Sequence, residues 1–441
     1  MPTKAQTDAA DLILSSMFQR SESGLLSQFM IERPGKPRGL GGIGTTIFYQ
    51  RRELVRAILF VRKHGAPFLR YLAVGDIWSM VTKFVTTSYW VISDETFLAG
   101  FEGSYADNLS QAAKSRFAEA LGASQLFQPQ DRLTLLPLVP MQVVNPFDGG
   151  LFFFTRAERT LGADRLPKGV KEEWLPTDQF PPEQGFKGRI QLPSSWLGVH
   201  SPEYKAAEKM KAAILGAVAL SQQQPVRYRF SGRDNFGGRA TIGDGVTYAF
   251  GDPHMPALMH NVQLTAGDHP WLRVLDAKLA SSASRDRKQI AALEYFYRAW
   301  FLNDSARFPV TCMTLDAVFG SVDQATRSVI DGVRSTIGAH VDDARLRLLM
   351  ELRGSVIHGG APDVYESSKY ARYYDRYETD PLRDLELVVA QCLRHHIFGE
   401  AMTEHPHPEA AQIAKLQAEG KLPARFEQPS ILEPSPADPS V

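Results

Sequence analysis

The spacing of hydrophobic residues changes near residue 268. Beyond it, apolar side chains such as Ile290, Leu293 and Phe296 recur every three or four positions, the pattern of amphipathic helices. Before it, short runs rich in β-branched and aromatic residues alternate with turn clusters, which is typical of strands. The pattern predicts an α+β protein in which a mixed, β-rich N-terminal domain precedes an all-α helical bundle.

The mixed domain is predicted to contain helices as well as strands. Its predicted helices are Arg51–His64, Tyr105–Leu121 and Glu203–Ser221. Its predicted strands are Trp78–Thr87, Ser88–Ile92, Leu133–Val144, Leu151–Thr155 and a hairpin of Arg227–Phe230 with Val246–Phe250. Residues 160–198 are rich in proline, glycine and charge, and we expect them to form a long surface connection.

Four or five amphipathic helices are predicted for the bundle. They are Arg287–Asn303, a short piece at Thr314–Phe319, a helix opened by the capping box Ser321–Gln324, the helix Asp342–Ile357, and a last helix from Asp380-Pro381 to Phe398. The stretch before that last helix carries Tyr365, Tyr370, Tyr373, Tyr374 and Tyr377, and it is predicted to be a loop.

The predicted domain boundaries follow from these elements. The mixed domain takes residues 1–268, the bundle takes 269–402, and a tail takes 403–441. Within the tail, a short helix is predicted from Glu409 to Glu419, and the proline-rich end from Pro429 is predicted to be disordered.

Composition and charge narrow the classes of function. The 441 residues are 44% apolar, and 49 Lys and Arg balance 49 Asp and Glu, so a site for anions has to be local. The two cysteines, Cys312 and Cys392, have neither a metal nor a redox spacing. No signal peptide is visible and no apolar run is long enough to cross a bilayer. We expect a cytoplasmic protein without a membrane partner.

Two candidate ligand motifs in the mixed domain lack the context that they need. Gly39–Gly44 formally matches a dinucleotide fingerprint, but it precedes the strand-like Thr45–Tyr49, so an ordinary loop is favoured over a nucleotide-binding enzyme. His254, His260 and His269 lie in a proline-containing stretch at spacings that match no metal-ligand pattern. No metal and no cofactor is predicted.

The strongest chemical signal is Arg353 followed by His358 at the end of an apolar helix. Arg353 stands four positions after Leu349 and three before Val356, so it shares the apolar face, where an unpaired guanidinium is costly. His358 is followed by two glycines, which typically end a helix. Five helical positions correspond to about 500°, so the two side chains lie about 140° apart. They converge on one phosphate only if the helix ends between them or a second chain completes the site.

This motif within a helical bundle resembles HEPN domains, and most closely their Apea-like branch. That branch carries an arginine, a small polar residue, three mostly apolar positions and then His-Gly. Leu293-Glu294 and the aromatic run of the first long helix also look similar to it. The resemblance covers residues 271–400, under a third of the chain. Gly354 departs from the pattern, because a polar residue is common there and Ser355 comes one position later.

The resemblance implies a metal-independent endoribonuclease that works through attack of the RNA 2′-hydroxyl, commonly in a toxin or antiphage-defence role. Its site lies between two HEPN protomers, with Arg353 and His358 as the catalytic residues. Histidine transfers protons near neutral pH, and a planar guanidinium holds phosphoryl oxygens. The expected partners are RNA, a second or further copy bound through the bundle, and a trigger ligand or phage protein on the N-terminal domain, which senses or regulates.

Contacts with RNA are predicted beside the motif. The predicted residues offer rings that stack on bases and polar groups that contact phosphates; they are Ser355, Lys369, Tyr370, Arg372 and Tyr373. Acidic neighbours cancel much of the local charge, and tyrosines that pack this stretch onto the bundle are an equally good interpretation.

Two alternatives to the catalytic interpretation stay open. In one, Arg353 is a buried residue paired with Glu294 or Asp316, and His358 caps the end of its helix. In the other, the bundle is a non-catalytic module for RNA binding or dimerisation.

Overall fold

A computed structural model describes residues 1–20, 24–31, 44–157, 193–232, 235–321, 324–338, 341–422 and 430–432. The chain divides into two compact units, Met1–Arg132 with Ser201–Ala206 and Leu133–His200 with Ala207–Val441. The boundary predicted at residue 268 lies inside the second unit, where strands give way to helices. The α+β class is confirmed, since sheets lie in the N-terminal region and helices dominate the C-terminal region.

The first unit is mostly helical and carries one small antiparallel sheet. The strands are β1 (Met17–Phe18), β2 (Leu25–Met30) and β3 (Gly44–Tyr49), in the order β1-β3-β2. The helices are α1 (Lys4–Ser15), α2 (Arg51–His64), α3 (Val74–Ser88), α4 (Ser93–Thr96), α5 (Tyr105–Asn108) and α6 (Gln111–Gly122). Single 3-10 turns at Pro67–Tyr71 and Tyr89–Val91 flank α3.

The strands predicted between residues 78 and 92 are wrong, because α3 occupies most of that stretch. The buried residues of α3 are Ile77, Met80, Val81, Phe84 and Val85, which recur at helical spacing. Valine and threonine favour strands by local propensity, but one continuous buried helix face outweighs that preference here.

The second unit contains a six-stranded antiparallel sheet of order β10-β9-β4-β8-β7-β6. Its strands are β4 (Leu133–Leu138), β6 (Phe147–Asp148), β7 (Phe152–Arg156), β8 (Ser195–His200), β9 (Arg239–Ile242) and β10 (Val246–Ala249). A separate parallel pair joins β5 (Met141–Val143) to β11 (Val262–Leu264). Leu133, Phe153, Trp196 and Ile242 form part of one buried cluster on the sheet.

The predicted hairpin was correct in its second strand and wrong in its first. Strand β10 pairs with β9 across a tight turn. Arg227 ends a short helix, α8 (Gln224–Arg227), with a proline in its first turn, and the rest of the predicted strand makes only an isolated bridge between Phe230 and Leu258. Arg227 is fully buried, and its guanidinium donates hydrogen bonds to the carbonyls of Ala219 and Gln222. Those bonds satisfy carbonyls at the end of the preceding helix, which a strand at this position would leave unpaired.

The remaining regular elements are mainly α-helices. They are α7 (Tyr204–Leu220), α9 (His269–Ala280), α10 (Ser284–Ala299), α11 (Asp304–Phe319), α12 (Ala325–Ile337), α13 (Asp343–Ile357), α14 (Ser368–Tyr377), α15 (Pro381–Leu393) and α16 (Ala410–Ala418). Helix α11 packs against α10, α12, α13 and α15, so it is the central helix of the bundle.

Helix α9 was not predicted, and α12 begins at Ala325 with Gln324, not Ser321, as its N-cap. Two further elements of the bundle differ from their predictions. Helix α11 begins ten residues before the predicted short piece, with Asn303 as its cap and Pro309 inside it. The stretch of tyrosines predicted to be a loop is the helix α14, which Ser367 caps by accepting a hydrogen bond from the amide of Lys369. Both stretches have few apolar residues or contain a proline, so they give a weak helical signal from sequence.

Buried ion pairs join the helices of the bundle. Arg307 on α11 lies 2.6 Å (Nε to Oε1) from Glu386 on α15, and Arg345 on α13 contacts Asp384 on α15 through Nε at 2.8 Å. Burial raises the pKa of Glu386 to about 7, although the Arg307 guanidinium opposes that shift. Breaking one buried charge pair leaves its partner uncompensated, so these contacts fix α15 against its neighbours.

Some predictions concern residues outside the described ranges. These are most of the glycine-rich loop before residue 44, the connection up to residue 192, and the end of the tail after residue 432. The last residues of the predicted surface connection are described, and from Ser195 they belong to the buried strand β8, so that part of the prediction is wrong. Within the described residues, the short tail helix is present as α16, and no helix is both long and apolar enough to span a bilayer.

Candidate functional site

Helix α13 carries the motif and has well-defined ends. Asp342 caps its start by accepting hydrogen bonds from the amides of residues 344 and 345. At the other end, His358 is the C-cap, Gly359 has a φ of +76°, and the amide of Gly360 donates to the carbonyl of Ser355 at 2.7 Å. A second bond joins the Gly359 amide to the Val356 carbonyl, so the helix ends in a Schellman motif. The glycines therefore end the helix as predicted.

Arg353 faces the interior of the bundle and is paired there. Its side chain is 14% exposed, and its Nη2 lies 2.6 Å from Oδ2 of Asp316 on α11, whose side chain is 26% exposed. Asp316 is one of the two acidic residues that the non-catalytic interpretation of Arg353 names as its partner. This ion pair offsets the cost of placing a guanidinium on an apolar helix face.

His358 is exposed at the end of α13. Within the described part of the chain, its side chain makes no hydrogen bond and no ion pair. An imidazole in this position is accessible to a ligand or to a second protein chain.

Arg353 and His358 are not brought together within one chain. The amide of His358 still donates to the carbonyl of Gly354 at 3.1 Å, so His358 stays in register with the helix. Five positions of a helix therefore place the two side chains about 140° apart. One enters the bundle and the other faces solvent, and no hydrogen bond joins them among the described residues.

The two residues that follow Arg353 have different surroundings. Nothing lies within 4 Å of the position that a Cβ would take at Gly354, so a polar side chain would fit there. Ser355 supports the turn after the helix, since its carbonyl accepts from residues 360 and 361 and its hydroxyl accepts from the Ser367 hydroxyl at 3.2 Å. Ser355, which was predicted to contact RNA, therefore also stabilises the turn at the end of α13.

Helix α14 packs on α13 and carries the other residues predicted to bind RNA. Lys369 Nζ donates to the backbone carbonyl of Glu351 at 3.1 Å, and an Arg372 nitrogen lies 3.8 Å from the Glu351 carboxylate. The ring of Tyr370 stacks on that of Tyr374 with centroids 6.3 Å apart. Cations and a partly exposed aromatic pair therefore occur on one helix beside the motif.

Tyr373, predicted to contact RNA, lies instead in the core. It is fully buried, and its hydroxyl donates to Asp384 while accepting from Nε of Arg345 at 3.2 Å. A ring in that position has no free face on which a base could stack. The exposed aromatic residue at this place is Tyr374, which belongs to the tyrosine stretch but was not among the predicted RNA contacts. Tyr373 and Tyr374 lie three and four positions after Tyr370, so helical spacing alone does not distinguish them.

The three histidines considered as metal ligands occupy unrelated environments. His254 is buried: its Nε2 contacts the Gly238 carbonyl at 2.5 Å and its Nδ1 lies 3.4 Å from Lys211 Nζ. Burial, with help from Lys211, lowers the pKa of His254 to about 3. His260 lies near Glu409, and His269 begins α9 instead of lying in the predicted loop. No group of three potential metal ligands occurs among the described residues.

The likeness to HEPN domains rests on the motif and on its position late in a helical bundle. In the structure, His358 is accessible and Arg353 is ion-paired. Comparisons with models of protein families, with curated proteins and with solved structures found no match.

Proposed function

We propose that the chain is a metal-independent endoribonuclease of the HEPN type, with a site completed by a second copy. The observation that carries the proposal is the placement of His358: an exposed imidazole at a rigid helix end, five positions after a paired arginine. The role in toxin or antiphage defence, and a sensing or regulatory role for the first unit, belong to the same proposal and follow from the resemblance.

His358 is the proposed proton-transfer group. Cleavage by the 2′-hydroxyl requires a base for that hydroxyl and an acid for the leaving 5′-oxygen, and an imidazole serves either role near neutral pH. Two copies of His358 facing each other across a two-fold axis would divide the two roles. An isologous dimer meets this requirement, because each copy contributes the same surface.

Arg353 is the proposed stabiliser of the phosphoryl charge. A guanidinium has five N–H donors, and the contact with Asp316 uses one nitrogen, Nη2. In this proposal Asp316 orients the guanidinium of Arg353, and the remaining N–H groups of its two terminal nitrogens bind the phosphoryl oxygens. Lys369, Tyr370, Arg372 and Tyr374 are the proposed contacts for the flanking nucleotides, through phosphates and stacked bases.

The test is cleavage of end-labelled RNA by the purified full chain in EDTA, with analysis for a 2′,3′-cyclic phosphate. His358→Ala and Arg353→Ala should each abolish cleavage. The matched controls are His395→Ala, an exposed histidine after α15, and Arg347→Ala, an arginine of α13 that is 68% exposed. Both controls should retain activity. Cleavage that persists in His358→Ala and Arg353→Ala, or that requires a divalent cation, would contradict the proposal.

The requirement for a second copy has its own experiment. Sedimentation velocity of the wild type should show a dimer or a higher oligomer. Mixing wild-type protein with an excess of His358→Ala protein should suppress cleavage, because a mixed dimer holds only one of the two histidines that divide the acid and base roles. A protein that cleaves RNA as a monomer would rule out a shared site.

One observation favours a second candidate, a non-catalytic module for RNA binding or dimerisation. The Arg353 side chain already has a carboxylate partner and is only 14% exposed, so it is well placed to hold α13 to α11. This candidate predicts RNA binding or self-association without cleavage. Under it, His358→Ala weakens association, and Arg353→Ala lowers stability.

A further inference from the structure

Helix α2 in the first unit concentrates positive charge. Its fourteen residues, Arg51–His64, include four arginines and one lysine but only one acidic residue, Glu53. The whole chain, in contrast, balances 49 Lys and Arg with 49 Asp and Glu. The excess of cations on α2 is therefore a local positive field, which attracts an anionic partner.

Three of these cations lie on one exposed line along α2. At about 100° per residue, Arg52, Arg56 and Lys63 fall within about 40° of one another, and all three are exposed. They lie opposite the apolar face of the helix, which is formed by the buried residues Leu54, Ala57, Ile58 and Val61. At about 1.5 Å per residue, the line from Arg52 to Lys63 is about 16 Å long.

The stability of α2 alone does not account for this line of cations. Arg52 and Lys63 make no ion pair and no side-chain hydrogen bond in the part of the chain that the structure describes. Arg56 lies 2.8 Å from Glu53, but the arginine side chain is 63% exposed, so solvent weakens that pair. Arg52 and Arg56 repel each other four positions apart, and Arg52 in the first turn opposes the helix dipole. A bound polyanion offsets both unfavourable interactions.

A nucleic acid backbone fits this line better than a membrane or an acidic protein does. A membrane-bound helix places its apolar face in the lipid, and that face of α2 is already buried within the first unit. The centre of a protein interface is depleted of charged residues, which here occupy the middle of the exposed face. A nucleic acid strand, in contrast, presents one phosphate for about every 3.4 Å, so a line of about 16 Å faces about five phosphates. Arginine and lysine side chains bind such phosphates.

We propose that the exposed face of α2 binds the phosphate backbone of RNA through Arg52, Arg56 and Lys63. Contacts with phosphates carry no information about the bases, so this binding is independent of RNA sequence. The choice of RNA rests on the proposed ribonuclease function, whereas the line of cations itself selects a phosphate backbone. The surface lies in the first unit, and the residues proposed to cleave RNA lie in the second.

The test measures binding of the full chain to a fluorescently labelled single-stranded RNA by fluorescence anisotropy, over a range of salt concentrations. Methyl groups on the 2′-oxygens of this RNA prevent cleavage by the proposed mechanism, so binding is measured apart from activity. Arg52→Gln combined with Lys63→Gln should reduce the magnitude of the slope of log K against log salt concentration by about 1.4, since each phosphate contact on a single strand contributes about 0.7. At about 0.1 M salt the affinity should fall about 25-fold, for contacts that contribute nothing at about 1 M salt.

The matched control is Arg287→Gln combined with Lys288→Gln, which removes two exposed cations near the start of α10. This control should keep the wild-type affinity and slope. Glutamine forms helices about as well as arginine and lysine, so the melting temperature should change little in either double variant. An equal loss of affinity in both double variants, or tighter binding to phosphatidylserine vesicles or polyglutamate than to RNA at equal charge concentration, would overturn the proposal. RNA binding through α2 without any cleavage would overturn only the proposed ribonuclease function.

Discussion

The Arg353–Asp316 ion pair offers the most informative perturbation of the bundle. Breaking a fully buried pair costs about 3–5 kcal/mol, and an exposed pair contributes about 0–1 kcal/mol. With side chains 14% and 26% exposed, this pair lies between those limits. We expect Arg353→Ala and Asp316→Ala each to lower the free energy of unfolding by about 2 kcal/mol. The double variant should lose less than the sum, with a coupling free energy of about 1–2 kcal/mol.

The assay is urea denaturation of the full chain, followed by circular dichroism for the wild type, both single variants and the double variant. The matched control is the pair Arg347–Asp343 on the same helix, with a separation of 3.7 Å and side chains 68% and 37% exposed. Its coupling free energy should stay below about 0.5 kcal/mol. If the coupling of Arg353 with Asp316 is no larger than that of the control pair, the inferred anchoring of α13 is wrong. The same values separate catalytic losses from folding losses in the cleavage assay.

Three further predictions concern the motif and the buried charges. Gly354→Ser should raise the free energy of unfolding by about 0.5 kcal/mol, measured with urea, because the Cβ position is open and serine is the better helix former. Gly359→Ala should lower it by about 1 kcal/mol, since a φ of +76° strains a residue with a Cβ; no change would mean that the helix end is not rigid. The pKa of Glu386 is raised from 4.5 to about 7, so this carboxyl keeps its proton to higher pH in the folded state than in the unfolded state. Its contribution to the free energy of unfolding is therefore fully present below pH 4.5 and is lost as the pH rises through 7. That loss amounts to about 3 kcal/mol, and Glu386→Gln should remove this part of the pH dependence of urea unfolding between pH 4.5 and 8.

Sequence predicted the bundle well wherever burial and end signals agreed. Helix α13 begins at Asp343 and ends at Ile357, one residue after the predicted start and at the predicted end, because an aspartate cap and two glycines mark its limits. Helix α3 shows the opposite case. Its threonines and valines favour a strand locally, and only packing in the folded unit decides between the two structures.

At the candidate site, the sequence predicts the position of a residue on its helix but not its partner on another helix. The position of Arg353 on the apolar face was predictable from spacing, but the choice of Asp316 over Glu294 as its partner depends on how α11 packs against α13. Tyr373 and Tyr374 are neighbours of identical type, and only the orientation of α14 makes one buried and the other exposed. Pairings between distant segments are set by tertiary packing, which local patterns do not encode.

The divergent directions of Arg353 and His358 limit every mechanism that uses both. The Schellman end of α13 fixes the backbone at His358 on the exposed side of the helix, and Asp316 holds the Arg353 side chain at the buried side. In the proposed enzyme, then, preorganisation of each group comes from its own chain, and their convergence has to come from the second chain. Such a site would be inactive when the chains are apart, because within one chain the arginine and histidine side chains point in different directions and do not meet. In the proposed enzyme, whatever controls dimerisation would therefore control cleavage. A regulatory unit on the same chain would act by favouring or preventing the association of two copies.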